Sequence, residues 1–170
     1  MARPINEMST NEVLDFIIDN FEGTRFVDHP DDRGGPTKFG ITKKALSRAK
    51  GKAVRTNDIH ILTREEAKAI YADAYANPVR ANELSYGPLR LAAIDYAIHS
   101  GPKRAVKAIQ GIIGPVTWAA IQGCESRSLF VRLMSHRLTF LTRLVSRDHS
   151  QVTFVYGWGK RLAKILEVSA

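Results

Sequence analysis

A chain of 170 residues, 44% hydrophobic and 25% charged, can build a packed core and is long enough for one domain or two tightly fused lobes. Its single cysteine, Cys124, excludes an internal disulfide, its histidines show no close pair at metal-ligand spacing, and no apolar run approaches a membrane span. The net charge of +8 is uneven: residues 1–32 hold eight acids and two bases, whereas residues 125–170 hold eight bases and three acids.

Helix signals dominate the chain. Ser9 stands three residues before Glu12, the spacing of a capping box. Val13, Phe16, Ile17, Asn20 and Phe21 then follow at helical spacing, and Gly23 is a natural stop. Glu22 therefore falls in the last turn of an amphipathic helix. Residues 24–41 read otherwise. Pro30 and Pro36 restrict their neighbours, and Gly34 and Gly35 permit positive φ, so a turn or small hairpin is expected. A helix is predicted over about 42–50. Another starts at Thr63, where Thr63 and Glu66 repeat the capping-box spacing, and runs to about Tyr75.

From residue 86 onward the helices continue. "GPLRLAAIDYAIHSG" ends at Gly101, and "PKRAVKAIQG" begins with Pro102 in a first-turn position. "GPVTWAAIQG" repeats that start and stop. Residues 126–146 are the longest periodic stretch, with Leu129, Phe130, Leu133, Met134, Leu138, Leu141, Leu144 and Val145 forming a wide stripe. A short helix is expected after Trp158. The predicted class is mainly α, a two-lobed helical fold with one small β or irregular element near 24–40.

The acids of residues 21–42 point to chemistry. Glycosidic cleavage needs a protonated carboxylic acid to serve the leaving oxygen and a second carboxylate beside the sugar cation. A helix fixes the first, and a Gly-rich turn carries the second across a cleft. Glu22 and Asp31 are nine positions apart, and Glu22 and Thr37 fifteen; this spacing resembles the Glu, Asp and Thr of small phage lysozymes.

"PDDRGGPTKFGIT" resembles the signature of glycoside hydrolase family 108, the phage and prophage N-acetylmuramidases. Glu22 and Gly23 match the start of the family's helix-end motif, and Asp32, Gly34, Gly35, Thr37, Gly40, Ile41 and Thr42 match its turn. "LTREEAKAIYADAY", "AAIDYAIHSGPKRAVKAIQ" and "FVYGWGKRL" are similar to later blocks, so the likeness spans roughly residues 8–162. Two departures stand out. The Glu22-Gly23-Thr24-Arg25-Phe26 stretch is one residue longer, so the Gly-Gly pair selects Asp32 as second carboxylate while the lysozyme interval selects Asp31. The stretch after Gln110 is also shorter than in relatives.

The resemblance implies a lysozyme-like fold, residues 1–85 as the catalytic region and 86–170 as a helical lobe resembling a peptidoglycan-binding region, packed as one compact unit. It implies catalytic roles for Glu22, Asp32, Asp31 and Thr37, with Asp95 and His99, one helical turn apart, as candidates to line the sugar cleft. No cofactor and no metal are expected. The expected partners are bacterial peptidoglycan and anionic envelope polymers that the basic C-terminal half would attract. No nucleic-acid motif is present, no membrane insertion is expected, and a monomer is anticipated. Acids at Glu7, Glu12, Asp15 and Asp19 argue against a secretory leader, so the implied setting is host lysis by an enzyme held in the cytoplasm and then released. The rival function is a non-catalytic wall-binding or secretion-assisting protein of the same fold.

Overall fold

The computed structural model describes residues 3–28, 35–113 and 126–170. Helices make up most of it. They are α1 (Thr10–Ile17), α2 (Lys43–Lys50), α3 (Thr56–His60), α4 (Arg64–Tyr71), α5 (Gly87–Ser100), α6 (Pro102–Ile113), α7 (Ser126–Arg147) and α8 (Val152–Val168). A two-stranded antiparallel hairpin, β1 (Thr37–Lys38) and β2 (Ile41–Thr42), pairs Thr37 with Thr42 and Lys38 with Ile41. The architecture is the mainly helical, lysozyme-like one expected from the sequence. The predicted helix "GPVTWAAIQG", Trp118 and Cys124 lie outside the described residues. Among the described residues no helix is long and apolar enough to cross a membrane.

Two compact units share the chain. One is Leu14–Ala74; the other joins Met1–Val13 to Tyr75–Ala170. In the first, Leu14, Ile17, Ile18, Ile41, Leu46, Ile59, Leu62 and Tyr71 form the core. Both expected capping boxes are present. The Ser9 amide donates to Glu12 Oε2 at 2.7 Å and the Glu12 amide to Ser9 Oγ at 3.3 Å. The Thr63 amide donates to Glu66 Oε2 at 2.9 Å, with the reverse bond at 3.2 Å. Helix α3 was not foreseen. It has only five residues and is held at its start by the Arg55 amide donating to Asp58 Oδ2 at 2.6 Å.

Helix α1 does not run unbroken to Gly23. Its last turn, Ile18–Glu22, is a π-helical turn, closed by the Gly23 amide on the Ile18 carbonyl at 2.9 Å. The buried stripe is Val13, Leu14, Ile17 and Ile18 rather than the one expected. Phe16 and Phe21, five apart, instead meet edge-on at 5.9 Å, the neighbour relation a wider turn produces. Four charges join α4 to this segment. Arg64 donates to Asp15 Oδ1 at 2.7 Å and to both Asp19 oxygens at 2.7 and 2.9 Å, and Lys68 donates to Asp15 Oδ2 at 2.9 Å. Burial pushes the Asp15 carboxyl up, but the bonds from Lys68 and Arg64 prevail and hold it below its ordinary value.

In the second unit α5 is buried on nearly every side from Gly87 to Ala97, as befits a helix apolar all round. Asp95 sits in the middle of it with no exposed surface. Its Oδ2 accepts from Arg137 Nη1 of α7 at 2.5 Å, and its Oδ1 from Arg161 Nε of α8 at 2.7 Å. One carboxylate thus ties three helices. The expected α7 stripe changes accordingly. Leu138 is 54% exposed, while Arg137 is 1% exposed and takes the core position one residue earlier. Helix α8 is also longer than expected, starting at Val152 and not after Trp158. Gly157 and Gly159 both sit inside the helix. Burial of Leu162 and Ile165, together with the Arg161 ion pair, offsets their cost of about 1 kcal/mol each.

Removing Asp95 would take from the buried Arg137 guanidinium the carboxylate it pairs with, and from Arg161 one of its ion-pair bonds. Asp95→Ala should therefore cost about 3–5 kcal/mol, read as a fall in unfolding free energy by denaturant titration. The burial of Asp95 raises its proton affinity, but the charges of Arg137 and Arg161 more than reverse this, so its carboxyl lies below the ordinary value. A carboxyl lowered in the folded state binds its proton more weakly there than in the unfolded chain. Its contribution is complete above the unfolded value of about 3.9 and is lost as pH falls below it. The wild type should lose stability faster than Asp95→Ala over that acid range; parallel curves would refute the pairing.

Candidate active site

Glu22 ends the π-helical turn, and Gly23 follows at φ 75°. After a bend the chain returns, with the Phe26 ring edge-on to His60 at 5.0 Å. Val27 then pairs with Thr37 through two backbone bonds of 2.8 Å. That bridge ties both ends of the segment carrying the two candidate aspartates. Asp31 and Asp32 themselves lie outside the described residues. Asp28 is exposed, one residue past the bridge.

The hairpin that follows has a two-residue tip, Phe39-Gly40, with φ of 53° and 72°. Two successive positive φ values define the turn whose twist suits a tight hairpin. Phe39 adopts this conformation against its own preference. Tyr71 Oη from α4, a residue only 2% exposed, donates to the Phe39 carbonyl at 2.9 Å and holds the tip in place.

Gly40 is where the elements meet. A Cβ built there would lie 2.5 Å from Glu22 Oε2 and 2.9 Å from Glu22 Cβ, and closer still to the Tyr71 hydroxyl. The Glu22 carboxylate and the Tyr71 hydroxyl therefore rest against the bare backbone of the hairpin tip. Thr37, on the first strand of the same hairpin, donates its hydroxyl to the Gly35 carbonyl at 3.0 Å. This fixes the hydroxyl proton and leaves the oxygen able to accept. The geometry offers a positioned carboxyl group beside a rigid hairpin, with a second acid-bearing segment anchored to that hairpin.

The remaining predicted site residues belong to the other unit. Asp95 does not line a cleft: it is fully buried and both its oxygens are engaged by arginines. His99 is half-buried in the last turn of α5, edge-on to Trp158 at 5.9 Å. Burial, then the nearby Arg137 and Arg161 charges, push its pKa down to about 4 against the opposing pull of Asp95. The ring is neutral at physiological pH. Among the expected surface bases, Arg137 and Arg161 are consumed by Asp95 and cannot attract envelope polymers. The sequence reading passed over Tyr71. Its signal was a tyrosine on the buried face of α4, which periodicity alone marks only as core.

The chain is similar to known families over most of its length. A family model described as "Glycosyl hydrolase 108" matches residues 14–101, and one described as "Predicted Peptidoglycan domain" matches residues 101–163. Among solved structures the chain is similar to one titled "Structure of Brucella abortus SagA", at 31% identity and a TM-score of 0.77 over 94% of this chain and 95% of that one. A search of curated proteins finds no match.

Gly40→Ala supplies the test of the geometry. Added to a positive φ, the methyl would drive apart Glu22, Tyr71 and the hairpin. A loss of about 1–3 kcal/mol is expected for the strain alone, with a larger fall in activity than Gly51→Ala, whose Cβ would meet open space at a similar φ. Equal effects of the two substitutions on both readouts would show that the close approach at Gly40 is unimportant.

Proposed function

Because the chain belongs to the glycosyl hydrolase 108 family and carries a peptidoglycan domain, it is a peptidoglycan hydrolase, and we propose that it is an N-acetylmuramidase. The bond cut is the β-1,4 link between N-acetylmuramic acid and N-acetylglucosamine. The observation that carries this is the seating of Glu22 against the hairpin tip at Gly40. Glu22 gives its proton to the glycosidic oxygen as the bond to the anomeric carbon breaks. Asp32 or Asp31 faces the positive charge that develops on the sugar. Water completes the reaction by adding to the anomeric carbon and giving its proton to a carboxylate, either the second acid or the now-ionised Glu22, so that Glu22 regains its proton. Thr37, its hydroxyl proton occupied by Gly35, accepts a hydrogen bond from that water and orients it. The biological setting we propose is host lysis by a phage or prophage, the enzyme being held in the host cytoplasm until it reaches the wall. Support for that setting comes from the family resemblance.

Glu22→Gln keeps the shape of the side chain and removes the transferable proton. Clearing of a purified peptidoglycan suspension should slow about 10²–10⁴-fold while thermal unfolding is unchanged. Clearing at near wild-type rate would end the proposal. The rival, a wall-binding protein without catalysis, would show binding with no new reducing ends even in the wild type.

The second carboxylate has its own test. Only one of Asp31→Asn and Asp32→Asn should be severe, and the alignment through the Gly34-Gly35 pair selects Asp32. Equal, mild losses in the rate of reducing-end release would move the role to another acid, with exposed Asp28 the next to substitute.

A further inference from the structure

Helices α6 and α7 enclose a notch of about 410 Å³, far along the chain from Glu22. Lys103, Arg104 and Lys107 of α6 line it, with His136 and Phe140 of α7 and the buried Ala108. The size is within the range of sites that take small ligands.

Its charge is uncompensated. Several bases that stand at the surface elsewhere in the described residues have a carboxylate at hand: Arg3 has Glu12, Lys50 has Glu66, Lys164 has Glu167. Among the described residues no carboxylate pairs with Lys103, Arg104 or Lys107. Lys103 and Lys107 are also one helical turn apart, where like charges destabilise a helix. An anion between them would reverse that cost.

The notch is also preorganised. The Arg104 guanidinium lies 4.3 Å from the centroid of the Phe140 ring, and its Nη1 donates to the Ser100 carbonyl at 2.9 Å. Its planar fork is thereby fixed, and its other donors suit a carboxylate. His136 Nδ1 stands 3.3 Å from Tyr96 Oη, which steadies that ring. Phe140 contributes an apolar wall beside the cations.

We propose that this notch binds the carboxylates of peptidoglycan stem peptides. The inference rests on the reading of the chain as a peptidoglycan hydrolase and gives the domain at residues 101–163 a specific ligand group. Peptide-bearing peptidoglycan carries its carboxylates on the peptides, because the lactyl carboxyl of each muramic residue is taken up in the amide bond to its peptide. The peptides also bear small methyl groups that suit the Phe140 wall. Phosphate belongs to other envelope polymers, not to this mesh. The notch thus prefers strands that bear carboxylate-rich peptides to strands whose carboxyls are masked.

Calorimetry on the full chain decides the matter. The probes are the disaccharide bearing its stem peptide, the same molecule with its carboxylates converted to amides, the peptide-free disaccharide with its freed lactyl carboxyl also amidated, and inorganic phosphate. Wild type should bind the parent at least about tenfold more tightly than the amide or the bare disaccharide, equivalent to about 1.4 kcal/mol. The triple variant Lys103→Gln/Arg104→Gln/Lys107→Gln should bind the parent about as weakly as wild type binds the amide. No detectable binding of the parent, equal binding of parent and amide, or a variant that still discriminates would overturn the proposal. So would phosphate binding tighter than the parent, which would assign the notch to phosphate polymers. If the variant fails to fold, the amide comparison on wild type still decides. Cleavage of peptide-free glycan is measured alongside. It should be equal in wild type and variant, and its absence in both would count against the hydrolase mechanism while the binding result stood.

Discussion

The site depends on the absence of one carbon atom. At Gly40 the hairpin tip, the end of the first helix and the buried face of α4 approach so closely that no side chain fits. Glycine meets two demands there at once, a positive φ and an empty space. Phe39 meets only the first, and its strained conformation is held by the hydroxyl of Tyr71. Backbone strain of this kind persists only where surrounding contacts over-determine it. Here they do so through a buried tyrosine anchored in a helix, so the tip is a rigid surface for Glu22 to lie against.

The acids crowded into the first 32 residues have separate tasks. Glu12 caps a helix, Asp15 and Asp19 clamp it to α4, and Glu22 alone of these four reaches the hairpin tip. The clamp matters to the site because Arg64 and Lys68 belong to the same helix as Tyr71. They fix α4 along the segment that ends in Glu22. At side-chain exposures near one third, Asp15 and Arg64 gain modestly from each contact, but the network shares its ordering cost over four residues. In the other unit a single buried carboxylate, Asp95, takes the analogous role for α5, α7 and α8.

What the sequence revealed divides by distance along the chain. Ser9 with Glu12 and Thr63 with Glu66 were legible because each partner is three residues from the other. The two-residue hairpin was visible as a turn, because its glycines and prolines speak through local conformation. Arg137 was not legible as a core residue. It reads as a charge on a polar face until Asp95, 42 positions earlier, is placed beside it. The same pairing misled the reading of Asp95 as a cleft residue, since an acid one turn from a histidine looks functional when its partners are unseen. Helix α8 proved longer than expected because packing of Leu162 and Ile165 carries it through Gly157 and Gly159 in spite of their low helix propensity.

The two side chains that converge on Gly40 share one further property. Glu22 is the last residue of the π-helical turn Ile18–Glu22, and Tyr71 immediately precedes another, Ala72–Ala76. Such turns are rare and are frequently found at functional sites. Each inserts about one extra residue into its helix, which alters which side chains share a face. In the first helix the consequence is visible: the edge-on pair Phe16 and Phe21 is five residues apart, not four. The register is thereby reset just before Glu22, and the carboxylate reaches the hairpin while Val13, Leu14, Ile17 and Ile18 stay buried. An unbroken α-helix would have to give up either that buried stripe or the direction of Glu22. The π turn allows a single segment to keep its core and still present its acid.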